Sequence, residues 1–184
     1  GRRVIFLYMD GGPSQVDTFD YKPLLAKYHG RDPHSVFKVE PTQFNNVGKV
    51  MGSPWKFQKR GQSGLWVSEL LPWTATTVDD LCFIRTITTD AINHEPAITF
   101  MQTGNQITGK PCIGSWVSYG LGSLNDNLPT FVVLIAKSTN TEQLQAIGER
   151  LWSAGFLPGE HSGVQFRTAG DPILFINNPQ GVDE

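Results

Sequence analysis

Residues 4–9 read Val-Ile-Phe-Leu-Tyr-Met, and this apolar run stops at Asp10-Gly11-Gly12. A short apolar run closed by glycines is typical of a strand buried on both faces of a parallel sheet. Because such sheets bind ligands at the carboxyl ends of their strands, Asp10 lies where a metal-binding carboxylate is expected. The alternative is that Asp10 caps a turn, since Asp-Gly is a common turn pair.

Two further apolar runs, residues 81–87 and 130–136, predict a second and a third buried strand. Strands separated by helices indicate an α/β domain with a mainly parallel sheet. Within one domain covering residues 1–184, the Gly-, Pro-, Asn- and Lys-rich residues 30–64 predict an excursion of loops and small hairpins. Helices are predicted at residues 23–29, 68–80, 94–104, 114–120 and 141–154, and a short apolar run follows at 173–176.

Composition limits the classes of partner. The chain has 184 residues, of which 39% are hydrophobic and 17% charged, as in a globular protein. With 15 basic and 17 acidic residues, its formal net charge is −2, so it lacks the basic footprint of a protein that binds nucleic acid or an anionic membrane. No apolar stretch approaches the ~20 residues of a transmembrane helix.

The second informative segment, Asn93-His94-Glu95-Pro96, follows the second predicted strand and opens a helix. Pro96 fits the first turn of that helix, whose exposed N–H groups favour a phosphate or sulfate oxygen. A histidine there can bind a metal, act as a general acid or base, or bond covalently to an electrophile. The alternative is that His94 caps the helix or hydrogen-bonds a carbonyl. The helix dipole favours the neutral imidazole.

Both segments resemble the alkaline phosphatase and sulfatase superfamily, which places a metal-binding aspartate after its first strand. In its sulfatases the motif Cys/Ser-x-Pro-Ser-Arg opens a helix, with Thr-Gly further along. Here Thr103-Gly104 matches that pair, and counting ten residues back from Gly104 gives His94, with Pro96 on the proline of the motif. Residues 11–20, 92–97 and 155–171 more closely resemble a sulfatase-like family, domain of unknown function family 1501.

This resemblance implies a three-layer αβα fold of the alkaline phosphatase type and a metal-dependent, hydrolase-like protein. The substrate would be a small anionic ester of sulfate or phosphate. Asp10 would help to bind a divalent metal (zinc, calcium or manganese). His94 would be either a metal ligand or an acid–base group, and Asn93 would be an orienting hydrogen-bond partner. Relatives carry a twin-arginine leader, so the resemblance also implies export to the periplasm.

The chain departs from the superfamily pattern in two ways. His94 replaces the nucleophile and Ala97-Ile98 replace Ser-Arg, which excludes formylglycine chemistry at this position and removes the arginine that orients sulfate. The distal Gly-Arg-Asp-His segment of the family does not occur after Asp171. We therefore expect the N-terminal part of a longer protein, with an incomplete site and no activity or tightly bound metal alone.

Two alternatives and one prediction about assembly follow from these departures. The chain could be a non-catalytic binding or scaffold domain that kept the fold after losing the nucleophile. An incomplete sheet would expose an unpaired edge or apolar surface, which predicts a homo-oligomer. If His94 is not catalytic, Ser14 and Asp17 are the next candidates, although turn and helix capping are the favoured roles for both.

Overall fold

The computed structural model describes residues 3–9, 11–41, 46–136 and 148–173. These residues form a mixed α/β structure with two short sheets, one antiparallel and one parallel. The chain divides into two compact units, one formed by Gly12–Thr88 and the other by Gly1–Gly11 with Thr89–Glu184.

The Gly12–Thr88 unit is built around an antiparallel hairpin. Its core contains the buried side chains of Val50, Val67 and Val78. Its regular elements are the helices α1 (Gln15–Thr18) and α2 (Pro23–Lys27), the strands β1 (Phe57–Arg60) and β2 (Leu65–Ser68), and 3-10 helices at Pro33–Ser35, Thr74–Thr76 and Val78–Asp80. The register pairs Phe57 with Ser68 and Arg60 with Leu65.

The turn of this hairpin is closed by a side chain from farther along the chain. Gly61 and Gly64 both have φ near +64°, a left-handed conformation that glycine adopts at little cost. The carboxylate of Asp79 accepts hydrogen bonds from the backbone N–H groups of Gln62 (2.7 Å) and Ser63 (2.9 Å). The turn therefore presents two N–H donors to one anion, and Asp79 supplies that anion.

The helix predicted over residues 68–80 is wrong. Ser68 is the last residue of β2, and only two separate 3-10 turns follow it. Pro72 lacks a backbone N–H and disfavours helical backbone at Leu71, so a helix beginning at Ser68 cannot continue through this point. Ser68 instead pairs with Phe57 of β1 as the last residue of β2.

The second unit contains the two longer helices. They are α3 (His94–Thr103) and α4 (Ile113–Leu121), and the strands β3 (Val132–Leu134) and β4 (Val164–Phe166) pair in parallel. Short 3-10 helices occupy Glu149–Leu151 and Gly159–His161. The helices predicted at 94–104 and 114–120 are thereby confirmed. A strand forms within 130–136 as predicted, but it is not buried, since Val132 is 40% and Leu134 76% exposed. Among the described helices, none combines the length and apolar character needed to cross a bilayer.

One hydrophobic cluster holds this second unit together. It contains the buried residues Ile98, Cys112, Leu151 and Trp152, against which Tyr8, Phe131 and Val133 pack. Trp152, which the sequence places on an apolar face, is only 8% exposed. Burial of a large apolar side chain contributes roughly 1.5–3 kcal/mol, so this cluster fixes α3 against the Glu149–Leu151 turn. Residues 141–147 of the predicted helix 141–154, and residues 174–176 of the last apolar run, lie outside the described residues. The described remainder of that helix, residues 148–154, contains only the 3-10 helix Glu149–Leu151, so the α-helix predicted there is wrong.

Two predicted strands do not form. Residues 4–9 and 81–87 carry no strand in the structure, and no described strand pairs with either. Ile5 and Leu7 are each 82% exposed, and Ile84 and Ile87 are also exposed. A strand requires a neighbour for its N–H and C=O groups, and apolar content alone does not supply one. The mixed α/β class is confirmed, whereas the single parallel sheet in three layers stays a prediction.

Candidate functional site

The predicted metal ligand Asp10 lies outside the described residues. The two glycines after it are described, with φ of +76° at Gly11 and +71° at Gly12. No atom lies within 4 Å of the position that a Cβ would occupy at either glycine. Both glycines therefore have left-handed backbone that other residues rarely adopt, and the role of Asp10 stays a prediction.

His94 is the first residue of α3, as the sequence predicts. The side chain of Asn93 caps this helix: its Oδ1 accepts a hydrogen bond from the backbone N–H of His94 at 2.7 Å. His94 is exposed, and among the described residues no hydrogen bond or ion pair engages its imidazole ring. The ring is therefore available to a solute at the beginning of the helix.

The buried face of α3 holds His94 in a defined place. Ile98, Thr99 and Gln102 are buried, and the Thr99 hydroxyl donates to the backbone carbonyl of Glu95 at 2.9 Å. The helix ends at Gly104, whose φ of +72° is left-handed and whose N–H donates to the carbonyl of Phe100. Gly104 therefore ends α3 as the sequence predicts. The cap at the start of α3 is the Asn93 side chain, so the alternative that His94 caps the helix is wrong.

Arg150 is a neighbour of this site that sequence reasoning missed. Its Nη2 lies 3.6 Å from Oε1 of Glu95, the residue after His94. The Nε of Arg150 is buried and has no hydrogen-bond partner in the described part of the chain. No local sequence signal indicates this contact, because only the packing of the Glu149–Leu151 turn on α3 brings the guanidinium to the first helical turn.

The fallback candidates Ser14 and Asp17 contact each other in the other unit. The Ser14 hydroxyl donates to Oδ2 of Asp17 at 2.7 Å. Hydrogen bonds from the Ser53 and Ser14 side chains, that from Ser53 being the stronger influence, lower the pKa of Asp17. Ser14 occupies the N-cap position of α1 but makes no side-chain hydrogen bond to a helix N–H. This arrangement keeps Asp17 ionised and directs the Ser14 hydroxyl toward it.

Comparison with protein families decides the affiliation of the chain. A family model described as "Protein of unknown function (DUF1501)" matches residues 1–184. The chain belongs to this family. No curated protein and no solved structure matches it.

The described part of this DUF1501 chain contains no group of three or more His, Cys, Asp or Glu side chains placed to hold a metal ion. His94 is free to act as one ligand, but a zinc site usually needs about four. The described residues of the DUF1501 chain therefore do not assemble a metal site.

A cavity of about 340 Å³ lies in the Gly12–Thr88 unit of the DUF1501 chain. Its walls include the rings of Tyr21, Trp55 and Phe57 and the side chains of Lys22 and Lys56. Lys22 is already paired with Asp20 at 2.9 Å. None of these residues was a predicted site residue, and the cavity is distinct from the start of α3.

Proposed function

We propose that this DUF1501 protein is a metal-dependent hydrolase that acts on small sulfate or phosphate esters. The observation that carries the proposal is His94, an exposed histidine at the first residue of a capped helix, whose ring has no partner among the residues that the structure describes. The resemblance to sulfatases, whose nucleophile occupies the corresponding helix start, supports it. The parallel pairing of β3 with β4 supports a fold of the three-layer αβα type.

In the proposed reaction, His94 acts as the acid–base group. A neutral imidazole accepts a proton from an attacking water molecule, or in its protonated form donates one to the departing ester oxygen. Asn93 contributes by fixing the backbone at His94 through its 2.7 Å hydrogen bond.

A divalent metal (zinc, calcium or manganese) forms part of this proposal. Asp10 would supply a carboxylate ligand, and the bound ion would stabilise negative charge on the ester. His94 would supply an imidazole ligand only in place of its acid–base role, because the ring nitrogen that binds an ion cannot also accept a proton. The remaining ligands would lie outside the described residues, since none of those forms a three-residue group. We further propose, on the family resemblance, that the protein is exported.

The test is hydrolysis of aryl phosphate and aryl sulfate esters by the full-length protein. His94→Ala and His94→Asn are expected to lower kcat by about 100-fold or more, the usual contribution of a general acid or base. His94→Asn keeps a residue that is well tolerated at a helix start, so it separates chemistry from folding. His34→Ala, at another exposed histidine, is the control and should retain full activity.

If His94→Ala hydrolyses these esters as fast as the wild type does, the active site lies elsewhere in the protein. A wild-type protein that hydrolyses neither ester, with or without added divalent metal, would instead favour the binding or scaffold domain.

A further inference from the structure

The guanidinium of Arg150 presents one edge without a good acceptor. Nε and Nη2 lie on the same edge of the planar group, and their N–H bonds point in parallel directions. Nη2 is 3.6 Å from Oε1 of Glu95, which exceeds hydrogen-bond length, and Nε has no partner. Both donors of this edge are therefore unsatisfied by the described residues.

Leaving such a donor unpaired is costly. A buried N–H without an acceptor costs about 1–3 kcal/mol, and more when the group carries charge. Arg150 is held in place by its neighbours, since Leu151 and Trp152 are buried in the cluster with Ile98 of α3. The edge is thus kept beside the first turn of α3 by packing and not by its own hydrogen bonds.

Glu95 is a weak partner for this edge. Its side chain is 72% exposed, whereas that of Arg150 is 26% exposed. An exposed carboxylate at this distance gains little from the pair, because solvent screens the attraction and the side chain loses rotamer freedom. Glu95 can therefore move into solvent and leave Nη2 open to another anion. Because Nε is buried, the anion reaches it only if the Arg150 side chain shifts as the anion binds.

We propose that the Nε–Nη2 edge of Arg150 binds a tetrahedral oxyanion, the sulfate or phosphate group of a ligand, next to His94. Two parallel N–H donors match two oxygens of such a group, the geometry that makes arginine the preferred residue for these anions. Arg150 thereby takes the part of the arginine that the sulfatase motif would place at Ile98. Its role in a substrate complex rests on the proposed function, whereas oxyanion binding does not.

Titration calorimetry with inorganic phosphate and inorganic sulfate tests the site directly. Arg150→Ala is expected to weaken binding of either anion by about tenfold or more, the loss that accompanies removal of a charge-assisted hydrogen bond. Arg150→Lys keeps the charge but not the two-donor edge, so its affinity for either anion should lie between those of the wild type and Arg150→Ala. Arg60→Ala removes an exposed arginine of β1 and should leave binding unchanged.

Glu95→Gln provides the opposite change. Without the competing carboxylate charge, the affinity for phosphate and sulfate should increase several-fold. This variant keeps Arg150 and its packing, so it also decides the matter if Arg150→Ala fails to fold.

The proposal is overturned if the wild-type protein binds neither anion, if folded Arg150→Ala binds as wild type does, or if Glu95→Gln does not bind more tightly. Failure of ester hydrolysis with these binding results intact would remove the proposed function and leave the oxyanion site. If the wild-type protein hydrolyses esters but Arg150→Ala binds phosphate as the wild type does, the oxyanion site is overturned and the proposed function remains.

Discussion

The side-chain oxygen of Asn93 accepts a hydrogen bond of 2.7 Å from the backbone N–H of His94. Asn93 has extended backbone angles (φ −114°, ψ 156°), and its carbonyl accepts from the N–H of Ala97. Asn93 is therefore the last residue with extended backbone and also the N-cap of α3. The position of the proposed acid–base histidine depends on this cap.

We expect Asn93→Ala to lower the free energy of unfolding by about 1 kcal/mol, the typical cost of losing an N-cap side chain. Asn93→Asp keeps an acceptor at the cap and should retain the stability of the wild type. Urea denaturation followed by circular dichroism measures both. Equal midpoints for Asn93→Ala and the wild type would show that this hydrogen bond does not stabilise α3.

Asp79 makes the stability of the hairpin depend on pH. Hydrogen bonds from Ser63 and then from Gln62, mainly through the backbone, hold the pKa of Asp79 below its ordinary value in the folded state. A carboxyl with a lowered folded pKa contributes stability above its unfolded pKa of about 3.9, and this contribution is lost as the pH falls through the folded pKa.

We therefore expect Asp79→Asn to lower the Tm at neutral pH and the difference to shrink as the pH falls below about 4. The amide has one acceptor oxygen and turns an NH2 group toward one of the two backbone donors. Asp80→Asn removes the same charge at an exposed neighbour and is the control. A Tm difference for Asp79→Asn that persists undiminished at low pH would argue against the titration of Asp79 as its cause.

In the full-length protein, we expect Asp10→Ala to abolish tight stoichiometric binding of a divalent metal ion. Loss of one carboxylate from a site with few ligands removes both charge and a coordination position. Calorimetry with zinc, calcium and manganese measures the effect, and Asp90→Ala, at an exposed aspartate, serves as the control. Unchanged affinity in Asp10→Ala would assign Asp10 to the turn.

Self-association is expected from the exposed apolar segment 4–9. Ile5 and Leu7 are each 82% exposed, and exposed apolar side chains of this kind favour contact with another chain. Light scattering at micromolar concentrations should show a dimer or higher oligomer that Ile5→Lys shifts toward monomer. Leu124→Lys, at a still more exposed leucine, is the matched control. A monomer at all concentrations would contradict this prediction.

Elements with local signals at both ends could be predicted from the sequence. Asn93 and Gly104 define α3, and the β-branched run within residues 130–136 contains β3. Where the signal was apolar content alone, as in residues 81–87, the predicted strand did not form. Ser68 carried a plausible capping signal for a helix, yet pairing with Phe57 placed it in a strand. Strand formation depends on a partner elsewhere in the chain, and one local segment does not reveal that partner.

The sequence by itself determined the family, the start and end of α3 and the place of His94 at its first residue, because capping acts between neighbouring residues. Only the tertiary structure decided that the guanidinium of Arg150 lies beside Glu95 and that Asp79 closes the turn between β1 and β2. Both contacts join residues far apart in the chain. They form because burial of apolar neighbours such as Trp152 and Val78 fixes where these charged side chains reach.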